Sequence, residues 1–120
     1  MPKRRKVVLV VDDDGSLRSI LKEYLTFKGF SCLTCNGYEE AVEWLKENIA
    51  DIVITDLRMD FKEAGFMLID WIRNQANMDI PIILMSSMKP ANKDNGGYDY
   101  FIEKPFSLNE LEKVVRSFFE

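Results

Sequence analysis

The chain predicts an α/β fold, a doubly wound parallel sheet of five strands. Three observations carry this expectation. Short apolar segments alternate with amphipathic ones from end to end, without repeats or low-complexity stretches. The first apolar run, Val7 to Val11, is continuous rather than alternating, as befits a parallel strand covered on both faces. Polar side chains able to do chemistry recur where the apolar runs end, the side on which such sheets bind ligands.

After that first strand, Leu17, Ile20, Leu21, Tyr24 and Leu25 repeat at helical spacing, and Gly29 ends the helix. Residues 30–34 form the second strand. Asn36 and Glu39 resemble a capping box for a helix whose apolar face is Tyr38, Ala41, Val42, Leu45 and Ile49. Residues 52–55 are the third strand and 65–74 the third helix. The fourth strand spans 80–85, with Pro81 tolerable near its start. Between Ser87 and Asp99 the rhythm breaks. Pro90, Asn92, Asn95, Gly96 and Gly97 leave no apolar period, so this stretch reads as loop with at most one helical turn. The fifth strand covers 100–102. Leu108, Leu111, Val114, Val115 and Phe118 mark a last helix capped by Ser107.

A length of 120 residues fits one domain, 1–120, large enough to bury a core without disulfide or metal staples. No apolar run approaches the ~18 residues of a membrane span, and no signal-peptide pattern is present, so the expected location is cytoplasmic. Net charge is −4, but four of the 16 basic residues (Lys3, Arg4, Arg5 and Lys6) fall in the first six positions. From Val7 onward, 12 basic residues face 20 acidic ones, a net of −8. Such a body repels a phosphate backbone, and the expectation is no direct nucleic-acid binding and no membrane partner. The basic tetrad reads as a solvated run ahead of the first strand.

Cys32 and Cys35 form a C-x-x-C, but on a strand. Residues three apart there point to opposite faces, ~10 Å apart, which forbids a disulfide. With no histidine and two thiols, zinc has no ligand set.

The strand ends deliver a denser group. The first strand runs into Asp12, Asp13 and Asp14, the third into Asp56, the fourth into Ser86 and Ser87, the fifth into Lys104 and Pro105. Carboxylates gathered at one edge repel each other unless a cation joins them, and oxygen donors without His or Cys select hard Mg²⁺. A lysine and a hydroxyl across the pocket suit a phosphate, so the inventory fits phosphoryl transfer. Asp14 alone is read as a helix cap.

The segments VVLVVDDDGSLR, VITDLRM, PIILMSS and FIEKPF, in this order and spacing, resemble the CheY-like receiver domain of bacterial two-component response regulators over residues 7–119. The resemblance implies a flavodoxin-like sheet of order 2-1-3-4-5 and a phosphoacceptor at Asp56, charged from a histidine kinase or histidine phosphotransfer protein. It implies Mg²⁺ held by Asp12, Asp13, Asp56 and the backbone carbonyl of Arg58, with Asp13 direct and Asp12 largely through water. Ser86 and Lys104 would stabilise the phosphoryl group, Ser86 and Phe101 would form the switch, and Pro105 would orient the lysine. The changed surface of strands four and five would signal a downstream effector protein or domain. Self-catalysed phosphorylation and dephosphorylation would be its only chemistry.

Four departures accompany the resemblance. Asp60 stands where proline is common, the loop to Gly65 is about one residue longer than usual, and Ser87 replaces a frequent alanine. The stretch from Ser86 to Lys104 is about one helical turn (~3.6 residues) short of the family's, so the fourth helix is shortened or absent. Two rival readings exist. One is a receiver-like interaction module that is never phosphorylated. The other is a haloacid-dehalogenase-like phosphatase opening with DDDGSL, with Asp12 as nucleophile, Asp14 as acid/base, Ser86 or Ser87 next and Lys104 last. The latter lacks a further acidic pair and leaves Asp56 idle. No G-x-x-x-x-G-K-[ST] loop supports nucleotide binding.

Overall fold

The computed structural model describes residues 4–90 and 95–120. Five strands, β1 (Val7–Val11), β2 (Ser31–Cys35), β3 (Ile52–Asp56), β4 (Ile82–Ser86) and β5 (Tyr100–Glu103), form one parallel sheet in the order β2-β1-β3-β4-β5. The helices α1 (Gly15–Phe27), α2 (Tyr38–Glu47), α3 (Ala64–Asp70) and α4 (Leu108–Ser117) cover both faces.

Alternation of side chains along each strand divides the core in two. Leu9, Val11, Val53 and Leu84 point to the layer filled by α2 and α3. Val8, Val10, Ile54, Ile83 and Met85 point to the layer filled by α1 and α4. The central strands β1, β3 and β4 are buried on both sides, which is why they read as continuous apolar runs. Cys32 lies in the α1/α4 layer and Cys35 in the α2/α3 layer, both free, as their spacing on a strand requires.

Helix ends follow local chemistry. Asp14 caps α1, its Oδ1 accepting from the amides of Ser16 (2.9 Å) and Leu17 (3.2 Å). At the other end Gly29 adopts φ +102°, its N–H donating to Thr26 O and that of Phe30 to Leu25 O, a Schellman motif. Phe30 is thereby drawn into the helix stop, so β2 begins one residue later than expected. Ser107 caps α4 by accepting from Glu110 N at 3.0 Å.

The sequence reading of α2 needs correcting. Gly37, not Asn36, is the N-cap and offers no side chain. The Asn36 amide instead donates to Glu40 Oε1 at 2.7 Å. Ile49 lies past the helix end and is 79% exposed, so it leaves the buried face. The third helix continues past Asp70 as a π-turn, Trp71–Gln75. Between β4 and β5 the described residues hold one 3-10 turn, Asn95–Gly97, and no α-helix, while residues 91–94 lie outside the described part.

Candidate functional site: an acidic edge with one lysine

β1, β3, β4 and β5 all end on the same edge of the sheet, and each brings a polar residue there. β3 and β4 run one residue further than the apolar pattern indicates, so Asp56 and Ser86 are strand residues held by the ladder itself. Lys104 follows β5 directly, and its N–H donates to Ser86 O at 2.8 Å, tying the ends of β4 and β5 together. The Lys104–Pro105 peptide is cis.

Asp12 is fully buried and every polar atom it owns is engaged. Its N–H donates to Cys35 O (3.1 Å), its Oδ1 accepts from Asp14 N (2.9 Å), its Oδ2 from Lys104 Nζ (3.1 Å), and its carbonyl from Arg18 Nη1 (2.7 Å). Asp13, next in the chain, is exposed, and among the described residues nothing donates to its carboxylate. Asp56 is 8% exposed; its Oδ1 accepts from Leu57 N (2.9 Å) and lies 3.4 Å from Lys104 Nζ. No donor among the described residues reaches its Oδ2.

One oxygen each from Asp12, Asp13 and Asp56 lies within 4.8 Å of the others. Three carboxylates with a single ammonium leave the edge in surplus negative charge, and the titration directions reflect it. Burial raises the Asp56 carboxyl above the ordinary range, and the Asp12 charge adds to this against the opposing pull of Lys104. For Lys104 burial works to lower the ammonium's pKa, but Asp12 and Asp56 together outweigh it and raise the value. The donors are hard oxygens without a nitrogen or sulfur ligand among them, and one is solvent-facing, an arrangement that fits a hydrated divalent cation such as Mg²⁺.

The approach of α3 to this edge depends on Gly65. Its N–H donates to Leu57 O at 2.8 Å, and a Cβ there would overlap the carbonyl oxygen of Asp56 and lie 2.7 Å from Leu57 Cα. The glycine lets the helix close onto the backbone that carries Asp56. Of the other residues expected from the sequence, Ser86 is buried at the edge, but its Oγ accepts from Met88 N at 3.2 Å. Phe101 sits opposite Leu84 in the ladder, half-buried against the α2/α3 layer. Arg58 lies exposed in the bends after β3. Asp60 reaches across to Gly37, within 3.3 Å of the position its Cβ would take, and lines a cleft of about 370 Å³ with Asp13 and Arg18. Asp14 serves as the α1 cap through its Oδ1.

Arg18 and the closure role of Gly65 escape a reading of the sequence. The signal for Arg18 is a cation one helical turn after the cap, a spacing that lets its side chain fold back over the preceding turn.

Comparison with known proteins agrees with this geometry. The family described as response regulator receiver domain matches residues 8–116. A probable transcriptional regulator ycf27 of Cyanidium caldarium is 38% identical over 120 residues, covering 96% of this chain and 47% of that protein. The DNA-binding transcriptional regulator NtrC of Escherichia coli is 31% identical over 93% of this chain and 24% of its own length. The chain thus spans about half the length, or less, of the curated relatives it matches. Among solved structures, a two-component response regulator from Clostridium difficile superimposes with a TM-score of 0.87 at 26% identity, covering 96% of both chains. The response regulator TrrA of Thermotoga maritima, crystallised in complex with Mg(2+)-BeF, gives 0.83 at 30% identity, covering 93% of this chain and 97% of that one.

Proposed function

The chain belongs to the response regulator receiver domain family, a family of signalling modules rather than classical enzymes, and on that premise we propose that it stores a signal as an acyl phosphate on Asp56. The observation that carries this reading is the placement of Asp56. Its carboxylate lies between Lys104 and the Asp12–Asp13 pair, with Oδ1 engaged and Oδ2 unengaged among the described residues. Oδ2 is then the attacking oxygen. A phosphorus–oxygen bond forms as the phosphorus–nitrogen bond of a donor phosphohistidine breaks, and the donor imidazole keeps the electron pair.

The residues divide the electrostatic work. Asp13, Asp56 and the Arg58 carbonyl, with Asp12 largely through water, would hold Mg²⁺, which would supply positive charge for the phosphoryl oxygens. Lys104 is already paired with Asp12 and Asp56, so it offers its ammonium to the new phosphoryl group with little reorganisation. Pro105 holds the lysine's direction. Ser86 must release the Met88 amide to donate its hydroxyl to a phosphoryl oxygen. Phe101, across the ladder from Leu84, follows into the vacated volume and changes the β4/β5 surface that an effector protein or domain reads. The donor is a histidine kinase or histidine phosphotransfer protein, and the exchange is cytoplasmic. Support comes from the related TrrA, whose structure holds Mg(2+)-BeF.

Intact-mass measurement after incubation with acetyl phosphate and Mg²⁺ tests the proposal. The parent chain gains one phosphoryl group, Asp56→Ala gains none, and Asp12→Ala gains it slowly. Labelling that survives Asp56→Ala refutes the assignment, and a parent that never gains mass is an interaction module.

A further inference from the structure

We propose that Arg18 is a positioning residue for the cation-binding edge: its guanidinium fixes the peptide between Asp12 and Asp13, and with it the direction in which Asp13 offers its carboxylate. The inference rests on the metal-dependent reading above.

Asp12 cannot move independently, because its amide and both carboxylate oxygens are held. Asp13 has no side-chain partner among the described residues, so its direction is set by its backbone. The peptide joining the two can rotate as a unit about the flanking bonds, and rotation swings the Asp13 side chain toward or away from Asp56. The Asp14 N–H held on Asp12 Oδ1 restrains the far side of Asp13, and the bond from Arg18 Nη1 to the carbonyl of the joining peptide, at 2.7 Å a short, charge-assisted contact, restrains that peptide directly. Arg18 is itself anchored in the first turn of α1, its N–H donating to Asp14 O at 3.0 Å, and its half-buried side chain lines the same cleft as Asp13.

Charge and geometry pull in opposite directions here. A guanidinium beside a cation site repels the cation, so if charge were its whole contribution its removal would tighten binding. If it holds the ligand in place, removal loosens binding. Loss of an outer partner of a metal ligand typically costs about 10–100-fold in affinity. The sign alone therefore decides.

The test is Mn²⁺ affinity, read from the free-ion electron paramagnetic resonance signal, for the full chain, Arg18→Gln, Arg18→Lys and Asp13→Asn, with a urea midpoint measured for each. Arg18→Gln is expected to bind about tenfold more weakly at an unchanged midpoint. Arg18→Lys recovers most of the loss, since an ammonium on a long stem can still donate to the carbonyl. Arg18→Gln binding as tightly as the parent, or more tightly, overturns the inference, and so does a loss that merely tracks the unfolded fraction. A parent that binds no Mn²⁺ overturns the metal-dependent reading itself. A parent that binds, with Asp13→Asn weakened and Arg18→Gln unchanged, spares that reading and removes the role of Arg18 alone.

Discussion

At the N-terminal ends of the strands, Asp51, Asp99 and Arg73 are committed to backbone groups. Asp51 accepts from Val7 N at 2.7 Å and from Arg4, and Asp99 accepts from Ile82 N at 2.8 Å and from Arg73 at 2.9 Å. Arg73 donates further to the carbonyls of Gly97, Met78 and Ile80, at 2.7 to 3.0 Å. At the C-terminal ends the same residue types are in imbalance. Of three aspartates Lys104 pairs with two, Asp12 and Asp56; Asp13 is exposed, and Asp56 keeps an oxygen without a partner among the described residues. One pole uses its charges to close loops onto the sheet; the other leaves them in excess, which is the condition for binding something from outside. Arg73, on the π-turn, fastens the described residues just before β5 to the third helix, through the Gly97 carbonyl and the Asp99 carboxylate.

The sharpest way to break this contrast is at the committed pole. Arg73→Met removes the guanidinium that donates to three carbonyls and to Asp99, and should cost about 3 kcal/mol in urea unfolding, while acetyl phosphate labelling at Asp56 proceeds at the parent rate in the folded fraction. An equal loss of labelling rate would mean the two poles are not independent. Next in size is Gly65→Ala, which forces α3 off the backbone of Asp56. The expected cost is about 2 kcal/mol, accompanied, unlike Arg73→Met, by slower labelling. The smallest effect has the opposite sign. Asp56→Asn removes a buried charge, and its repulsion by Asp12, from the unbalanced pole and should raise stability at pH 7 by about 1 kcal/mol. Because folding raises this carboxyl's pKa, the folded chain holds the proton more tightly. Its ionisation therefore takes stability away as pH climbs above the ordinary value of 3.8, and the advantage of Asp56→Asn should vanish below that pH. Urea midpoints of the two chains at acid and neutral pH read this directly.

Most of the fold was legible because its signals are local and repeated: β-branched runs buried on two faces, helical spacing, Gly29 and Ser107 at helix ends. The site was legible in its inventory, since strand ends are where such sheets concentrate chemistry. What escaped was tertiary. Glu40 rather than Glu39 serves the Asn36 amide, because Gly37 displaces the helix start by one residue. The role of Arg73 depends on a π-turn that no residue pattern marks, and that of Arg18 on a side chain folding back over a turn it follows. Spacing shows which residues share a face; it does not show which carbonyl a long guanidinium will find.

The two thiols are walled into separate halves of the interior, and burial pushes their pKa values up to about 12 for Cys32 and about 11 for Cys35. Neither presents a reactive thiolate to a passing oxidant or a maleimide. A cysteine introduced at an exposed position such as Phe27 would therefore take a fluorophore by itself, giving an optical handle on the molecule without stripping out its native sulfur.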